Sequence, residues 1–166
     1  KPGLLYPTKT FSDKLEFTAA GIKIELYHAP GETNDQLFVW LPEKRALFPG
    51  DNFYKTFPNL YTIRGTPYRD LVGWVNSIDM MRYLEPEYLV PSHTRPLVGA
   101  KKINNLLTTY RDAIQYVHDQ TIRLMNMGMQ PDEIAENLIL PKHLGNSPYL
   151  QEFYGSPAWS AKNVFS

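Results

Sequence analysis

Leu47-Phe48-Pro49-Gly50-Asp51-Asn52 is the centre of the stretch, residues 28–93, around which this chain is organised. Its apolar residues predict a strand that stops abruptly at Gly50-Asp51, which places a carboxylate where a sheet gives way to a cleft. Two other polar loops follow strand-like runs in the same way, and they carry Glu32 and His93. The sequence therefore offers three candidate metal ligands, Glu32, Asp51 and His93, each just beyond a predicted strand.

The composition is that of an ordinary globular protein, since 43% of the 166 residues are apolar and 20% are charged. The 17 basic and 17 acidic residues balance, so nothing favours a polyanion and no nucleic-acid partner is predicted. Cysteine is absent, which excludes disulfides, thiolate metal sites and a cysteine nucleophile. Any metal is therefore left to histidine and carboxylate ligands.

No membrane-spanning or targeting segment is recognisable in the sequence. No apolar run approaches the roughly 20 residues that span a bilayer, and residues 1–7 contain too little apolar sequence for a signal peptide. Because the chain begins without Met, we expect it to be part of a longer protein whose N-terminus lies upstream. The compartment is therefore undetermined, and both the periplasm and secretion stay open.

The first half of the chain predicts mostly β-structure. Apolar and polar residues alternate on both sides of Ala20-Gly21, which is typical of a hairpin with one buried face. The run 36–41 is almost continuously apolar and predicts a strand buried on both faces. The predicted strands cover residues 15–18, 22–27, 36–41, 46–48 and 88–90.

Three helices are predicted from apolar residues spaced by three and four. The first follows Asp70, a candidate N-cap, and ends near Glu85-Pro86. The second carries a long apolar stripe from Ile103 to Met125 and is closed by Gly128. The third extends from Gln130-Pro131 to Pro141, whereas the tail, residues 142–166, gives no clear prediction. The shift in composition near residue 99 predicts a domain boundary, with one region over 1–99 and a helical region over 100–166.

Four motifs give the chain a resemblance to a known family. They are Pro30-Gly31-Glu32-Thr33, Leu47-Phe48-Pro49-Gly50-Asp51-Asn52, Asn59-Leu60-Tyr61-Thr62-Ile63-Arg64-Gly65-Thr66 and Pro91-Ser92-His93-Thr94-Arg95-Pro96. The chain resembles the second half of a metallo-β-lactamase-type domain, and it is most similar to the alkyl sulfatase branch, zinc enzymes that hydrolyse alkyl sulfate esters such as dodecyl sulfate. The resemblance implies an α/β fold class: an α+β sandwich that is the second half of an αββα domain, followed by an all-helical region that forms a homodimer.

The resemblance also implies a dinuclear zinc site. In it Glu32 binds one zinc, Asp51 bridges the two zincs and His93 binds the second. The family's first metal-binding element, a His-x-His-x-Asp-His run, does not occur in this sequence and is expected upstream of residue 1. We therefore expect the 166-residue chain alone to bind zinc weakly and to be inactive.

The substrate of the longer protein is implied in the same way to be a small alkyl sulfate. Arg64 is the candidate catalytic and sulfate-binding residue, because a guanidinium presents a planar fork of donors to a tetrahedral oxyanion. Asn59 and Tyr61, in the same motif, are the other candidate substrate-binding residues. Arg69 lies where some relatives place a candidate proton donor, and arginine is a poor acid.

The same residues also fit roles that need no alkyl sulfate. Without the resemblance, Glu32 is a solvated loop acid, Asp51 a turn residue and His93 a hydrogen-bonding loop residue. A different hydrolase of the same fold, acting on a thioester, phosphoester or lactone, needs the metal ligands but not the Arg64 motif. A third alternative is a non-catalytic interaction module whose working surface is the helical stripe of residues 103–125.

Overall fold

A computed structural model of the protein describes residues 3, 5–62 and 68–165. In this part of the chain six strands form one sheet in sequential order, with β4 and β5 parallel and all other neighbours antiparallel. The strands are β1 (Lys14–Ala19), β2 (Ile22–His28), β3 (Leu37–Leu41), β4 (Ala46–Phe48), β5 (Tyr88–Leu89) and β6 (Leu97–Val98). The five predicted strands are confirmed, and β6 is an additional one.

The α-helices of the described chain all follow residue 70. They are α1 (Leu71–Tyr83), α2 (Ala100–Asn126), α3 (Pro131–Asn137), α4 (Lys142–Gly145) and α5 (Pro157–Phe165). The three predicted helices are confirmed, together with the mixed α/β architecture. Asp70 stands at the N-cap position of α1, although its side chain makes no capping hydrogen bond to the residues that the structure describes. None of these helices combines the length and the apolar character that crossing a membrane requires.

The two faces of the sheet are covered unequally. Phe38 and Trp40 point to the same face of β3, and Leu47 of β4 pairs with Trp40. All three side chains are buried in the main core. On the opposite face, Leu37 and Val39 are only half-buried. The prediction that β3 is buried on both faces is therefore wrong for this chain, because the side chains on its second face are only half-buried.

The long apolar stripe of α2 belongs to the core of the chain itself. Ile103, Tyr110, Ile114 and Val117 are all fully buried, and α2 packs against α1 and α5. The interaction-module alternative needed this stripe as a free surface, and the burial shows that it is not one. One buried cluster contains residues from both sides of position 99, and the predicted boundary there stays a prediction.

Candidate metal centre

A buried amide fixes the loop that carries Glu32. Asn52 is fully buried, and its Nδ2 donates to the Ala29 carbonyl at 2.7 Å while its Oδ1 accepts from the Glu32 N–H at 3.4 Å. Gly31 makes this approach possible, because a Cβ at that position would lie 1.9 Å from Asn52 Oδ1. The loop after β2 is therefore held against the segment that follows β4.

Helix α1 supports the same two segments from below. The indole Nε1 of Trp74 donates to the Asn52 carbonyl at 3.1 Å, and the Ser77 hydroxyl donates to the Pro30 carbonyl at 2.7 Å. Both residues are buried. Buried backbone carbonyls need hydrogen-bond partners. These two bonds therefore hold both loops against α1.

Asp51 follows β4 in a short 3₁₀ turn, Gly50–Asn52. Gly50 has φ +59°, the left-handed region that glycine adopts without strain. The Oδ1 atom of Asp51 is buried and makes no hydrogen bond among the described residues, although Nε2 of His93 lies 3.3 Å from it. His93, in the loop between β5 and β6, has a side chain that is 69% exposed.

The three candidate ligands line one cavity of about 490 Å³. Its wall is formed by Glu32, Asp51, Tyr54, Lys55, Thr56, His93, Thr94 and Tyr154. The structure thus brings together the side chains that the sequence placed beyond three separate strands. Within residues 3, 5–62 and 68–165, however, no group of three or more histidine or acidic side chains is close enough together to hold a single ion.

Glu32 is paired with Arg69. Its Oε1 lies 3.0 Å from Nη2 of Arg69, and both side chains are mostly buried. Burial raises the pKa of the Glu32 carboxyl above its usual value, and the neighbouring Asp51 raises this pKa further. Arg69 and, more weakly, His93 oppose that shift. The surroundings of Glu32 therefore disfavour the ionised form of its carboxyl group.

The predicted substrate-binding residues lie differently. Arg64 belongs to residues 63–67, which are outside the described residues. Asn59 is buried, with its N–H donating to the Tyr54 hydroxyl at 3.1 Å and its Oδ1 accepting from the Tyr61 N–H at 3.3 Å. The Tyr61 ring packs near Trp159, at a centroid distance of 6.4 Å. Neither Asn59 nor Tyr61 is among the described residues that line the cavity.

The C-terminal tail supplies one wall of the cavity, which the sequence did not predict. The Phe57 N–H donates to the Gln151 carbonyl at 2.8 Å, and the Gly155 N–H donates to the Phe57 carbonyl at 3.1 Å. These bonds bring the Tyr154 ring to 6.0 Å from that of Tyr54. These hydrogen bonds join segments that are far apart in the sequence, so no local sequence pattern predicts them.

The donor set fits a metal ion that binds oxygen and nitrogen. Asp51 offers a buried carboxylate oxygen with no hydrogen bond from the described residues, Glu32 offers a second carboxylate, and His93 offers an exposed imidazole. Zinc accepts this combination when thiolates are absent. Since the three do not converge on one point, they suit a site in which different ions share them, or in which further ligands complete each ion.

Two family models and several alkylsulfatases match this chain. The model of the metallo-beta-lactamase superfamily matches residues 5–93, and the model described as alkyl sulfatase dimerisation matches residues 130–166. The chain is 43% identical over 161 residues to a linear primary-alkylsulfatase of Pseudomonas sp., covering 96% of this chain and 30% of that protein. It is 31% identical to the alkyl/aryl-sulfatase BDS1 of Saccharomyces cerevisiae, covering 98% of this chain and 26% of that protein.

A solved structure is similar over almost the same extent. The stereoselective inverting sec-alkylsulfatase Pisa1 from Pseudomonas sp. superposes with a TM-score of 0.87 at 26% identity, covering 94% of this chain and 25% of that one. The chain thus spans between a quarter and a third of the length of these relatives. Both the β-rich half and the helical half take part in the similarity.

Proposed function

Because the chain belongs to the metallo-beta-lactamase superfamily, a membership that implies metal binding, we propose that the whole protein hydrolyses alkyl sulfate esters at a zinc centre. The similarity to alkylsulfatases over 96% and 98% of the chain supports the substrate class. The observation that carries the proposal is the cavity that Glu32, Asp51 and His93 line together, with a buried Asp51 oxygen that makes no hydrogen bond among the described residues and lies 3.3 Å from Nε2 of His93.

In this proposal the three side chains share two zinc ions. Glu32 would hold one ion, His93 would hold the second and Asp51 would be shared between them, with further ligands needed to complete each ion. Bound zinc supplies Lewis acidity, which lowers the pKa of water and offsets the charge of a sulfate ester. The 166 residues by themselves bind zinc weakly and are inactive, because three side chains leave two ions undercoordinated.

The sulfate group is recognised by Arg64 in this proposal. Its guanidinium stays charged at all relevant pH values and donates two parallel hydrogen bonds to an oxyanion. Asn59 and Tyr61 precede Arg64 by five and three residues in the sequence, and the buried position of Asn59 supports a fixed backbone there. In this proposal the segment that begins at Asn59 binds the charged end of the substrate.

Turnover of dodecyl sulfate by the whole protein tests the function. We expect hydrolysis that is lost after treatment with a chelator and restored by zinc, with little turnover of a thioester, a phosphomonoester or a lactone. Preferential turnover of one of those three would replace the proposed reaction by another of the same fold. Absence of any metal-dependent turnover would contradict the proposal altogether.

Substitution of Arg64 separates the sulfate role from general metal chemistry. We expect Arg64→Ala to lower kcat/KM for dodecyl sulfate by about 100-fold or more, since removing one donor to a developing oxyanion costs about 2.7–4 kcal/mol. Arg64→Lys keeps the charge and loses the fork, so we expect an intermediate loss. Arg123, exposed on α2 with its guanidinium on Gln120, provides the matched control, and Arg123→Ala is expected to leave turnover unchanged.

We also propose that residues 130–166 take part in a homodimer, on the strength of the dimerisation model that matches them. This region exposes large apolar side chains, among them Ile139 and Phe153 at 74% and 84% exposure. Exposed apolar groups of this size are typical of a surface that another protein covers. Sedimentation of the whole protein is expected to give a dimer, and Ile139→Lys is expected to shift it towards monomer, whereas a monomeric wild type would contradict the proposal.

A further inference from the structure

Arg69 is a buried charge that the proposed chemistry does not use. The residue is only 8% exposed and lies just before α1 in the chain. A guanidinium cannot act as a proton donor near neutral pH, because it does not give up its proton there. Its place beside the candidate ligands therefore points to a role other than proton transfer.

The two terminal nitrogens of Arg69 contact two different parts of the site. Nη2 lies 3.0 Å from Oε1 of Glu32, and Nη1 donates to the carbonyl oxygen of Asn59. The other side of Asn59 is held as well, since its N–H donates to the hydroxyl of Tyr54 at 3.1 Å. Tyr54 itself lines the cavity. A continuous chain of contacts thus leads from Glu32 through Arg69 and Asn59 to Tyr54.

Stability alone does not account for this arrangement. The Nε atom of Arg69 is buried and has no hydrogen-bond partner among the described residues. Buried ion pairs with incomplete hydrogen bonding contribute little net stability, because desolvation offsets most of the attraction. What a guanidinium provides, and a single ammonium does not, is a rigid fork that sets the distance and angle between two acceptors.

We propose that Arg69 is a positioning residue that fixes the Glu32 carboxylate and the Asn59 backbone relative to each other. The inference rests on the proposed function, in which Glu32 is a metal ligand and the segment at Asn59 binds substrate. Arg69 acts through these two residues and does not touch the substrate. It couples the carboxylate of Glu32, which lines the cavity, to the backbone at Asn59, which lies outside the cavity lining.

Two substitutions test whether the two-pronged contact of the Arg69 guanidinium positions Glu32 and Asn59. Arg69→Lys keeps one charged donor, so we expect zinc content to persist while KM for dodecyl sulfate rises by ~10-fold, the usual scale for residues that support a ligand. Arg69→Ala removes both contacts, so we expect loss of zinc as well as turnover, with partial recovery in added guanidinium but not in ammonium at equal ionic strength. Arg82, paired with Asp79 at 2.6 Å on α1, is the matched control, and Arg82→Lys is expected to change neither quantity.

Hydrogen exchange of the Asn59 amide gives a readout that does not depend on turnover. We expect exchange at Asn59 to become at least 10-fold faster in both Arg69 variants and to stay unchanged in Arg82→Lys. Wild-type KM and Asn59 exchange in Arg69→Lys would overturn the proposal, and so would a fall in unfolding midpoint with no change in either. A wild type with bound zinc, slow Asn59 exchange and no sulfatase turnover would contradict the proposed function, while the Asn59 and zinc results would still decide the role of Arg69.

Discussion

Glu25 and Glu32 are two buried carboxylates on neighbouring segments, and their pKa values shift in opposite directions. Burial pushes the pKa of Glu25 upwards, but hydrogen bonds from Lys23, Tyr27 and Lys14 outweigh it and lower the pKa to about 2. Burial likewise raises the pKa of Glu32, and there the charge and hydrogen bond of Arg69 do not compensate. Asp51 across the cavity adds to the upward shift.

The difference separates a structural acid from a site acid. The carboxylate of Glu25 accepts from the Tyr27 hydroxyl at 2.7 Å and contacts Lys23 and Lys14 at 2.7 and 3.1 Å, so the chain itself neutralises it. Glu32 and Asp51 both line the cavity, and there burial and the nearby Asp51 raise the pKa of Glu32 despite its pairing with Arg69. A carboxyl with a perturbed pKa in a cavity is typical of functional sites, and a bound cation would favour its ionised form.

The largest effect on the Glu32 side is expected from Asn52→Ala. The substitution leaves the Ala29 carbonyl and the Glu32 N–H without their partner and opens a cavity beneath the loop. We expect the free energy of unfolding to fall by about 3 kcal/mol, the upper range for a buried hydrogen-bonding side chain. Urea denaturation measures it, with the exposed Asn105→Ala as control. A loss equal to that of the control would mean that the amide does not hold the loop.

A smaller loss is expected from Gly31→Ala. The added Cβ would lie 1.9 Å from Asn52 Oδ1, so either the buried amide or the Glu32 loop has to move. Overpacking of this kind costs about 2 kcal/mol, measured as a shift in the urea midpoint. Gly145→Ala is the matched control, because its Cβ would meet Leu140 at an ordinary 3.8 Å. Equal midpoints for the two variants would contradict the close packing at Gly31.

Glu25→Gln tests the structural acid through its pH dependence. The folded-state pKa of about 2 is below the usual 4.5, so the ionised group stabilises the fold above pH 4.5 and this contribution disappears as the pH falls towards 2. We expect the variant to be less stable at pH 7 by about 1 kcal/mol and to match the wild type near pH 2. A difference that is the same at both pH values would show that the charge is not responsible. Glu43→Gln, at an exposed position, serves as control.

The smallest effect on stability is expected from His93→Ala. The imidazole is 69% exposed and contacts only the Asp51 carboxylate among its described ion pairs. Surface substitutions away from structural features change the free energy of unfolding by less than about 0.5 kcal/mol. Thermal unfolding of the metal-free protein measures this, with His143→Ala as the exposed control. A loss above about 1 kcal/mol, on the scale of a lost hydrogen bond, would mean that His93 has a structural role.

Local patterns predicted the elements that local forces determine. The hairpin of β1 and β2 and the apolar stripe of α2 are confirmed as elements. The buried apolar face predicted for the hairpin is wrong for this chain, because every residue of β1 except Leu15 is exposed and the buried side chain of β2 is that of Glu25. The two-residue strand β6 has no periodicity, because it exists only through pairing with β5. The burial of β3 was overestimated, since an apolar sequence does not reveal whether the chain also contains the layer that covers it.

The same limit applies to the site. Glu32, Asp51 and His93 were predicted because each follows a strand, and the structure brings all three to one cavity. Their partners were not predictable. Arg69, which pairs with Glu32, follows β4 in the chain, and Tyr154, whose ring packs near Tyr54, belongs to the C-terminal tail. Contacts between distant segments depend on the packing of the whole chain, which motif spacing does not encode.

The zinc content of the whole protein tests most directly whether the carboxylates of the cavity bind a metal ion. It is measured by plasma mass spectrometry on purified variants. We expect zinc in the wild type and in Glu25→Gln, and a clear loss in Glu32→Gln, Asp51→Asn and His93→Ala. That pattern would assign the three cavity side chains to metal binding. Equal zinc in all five proteins, or little zinc in the wild type, would contradict the metal centre proposed for this cavity.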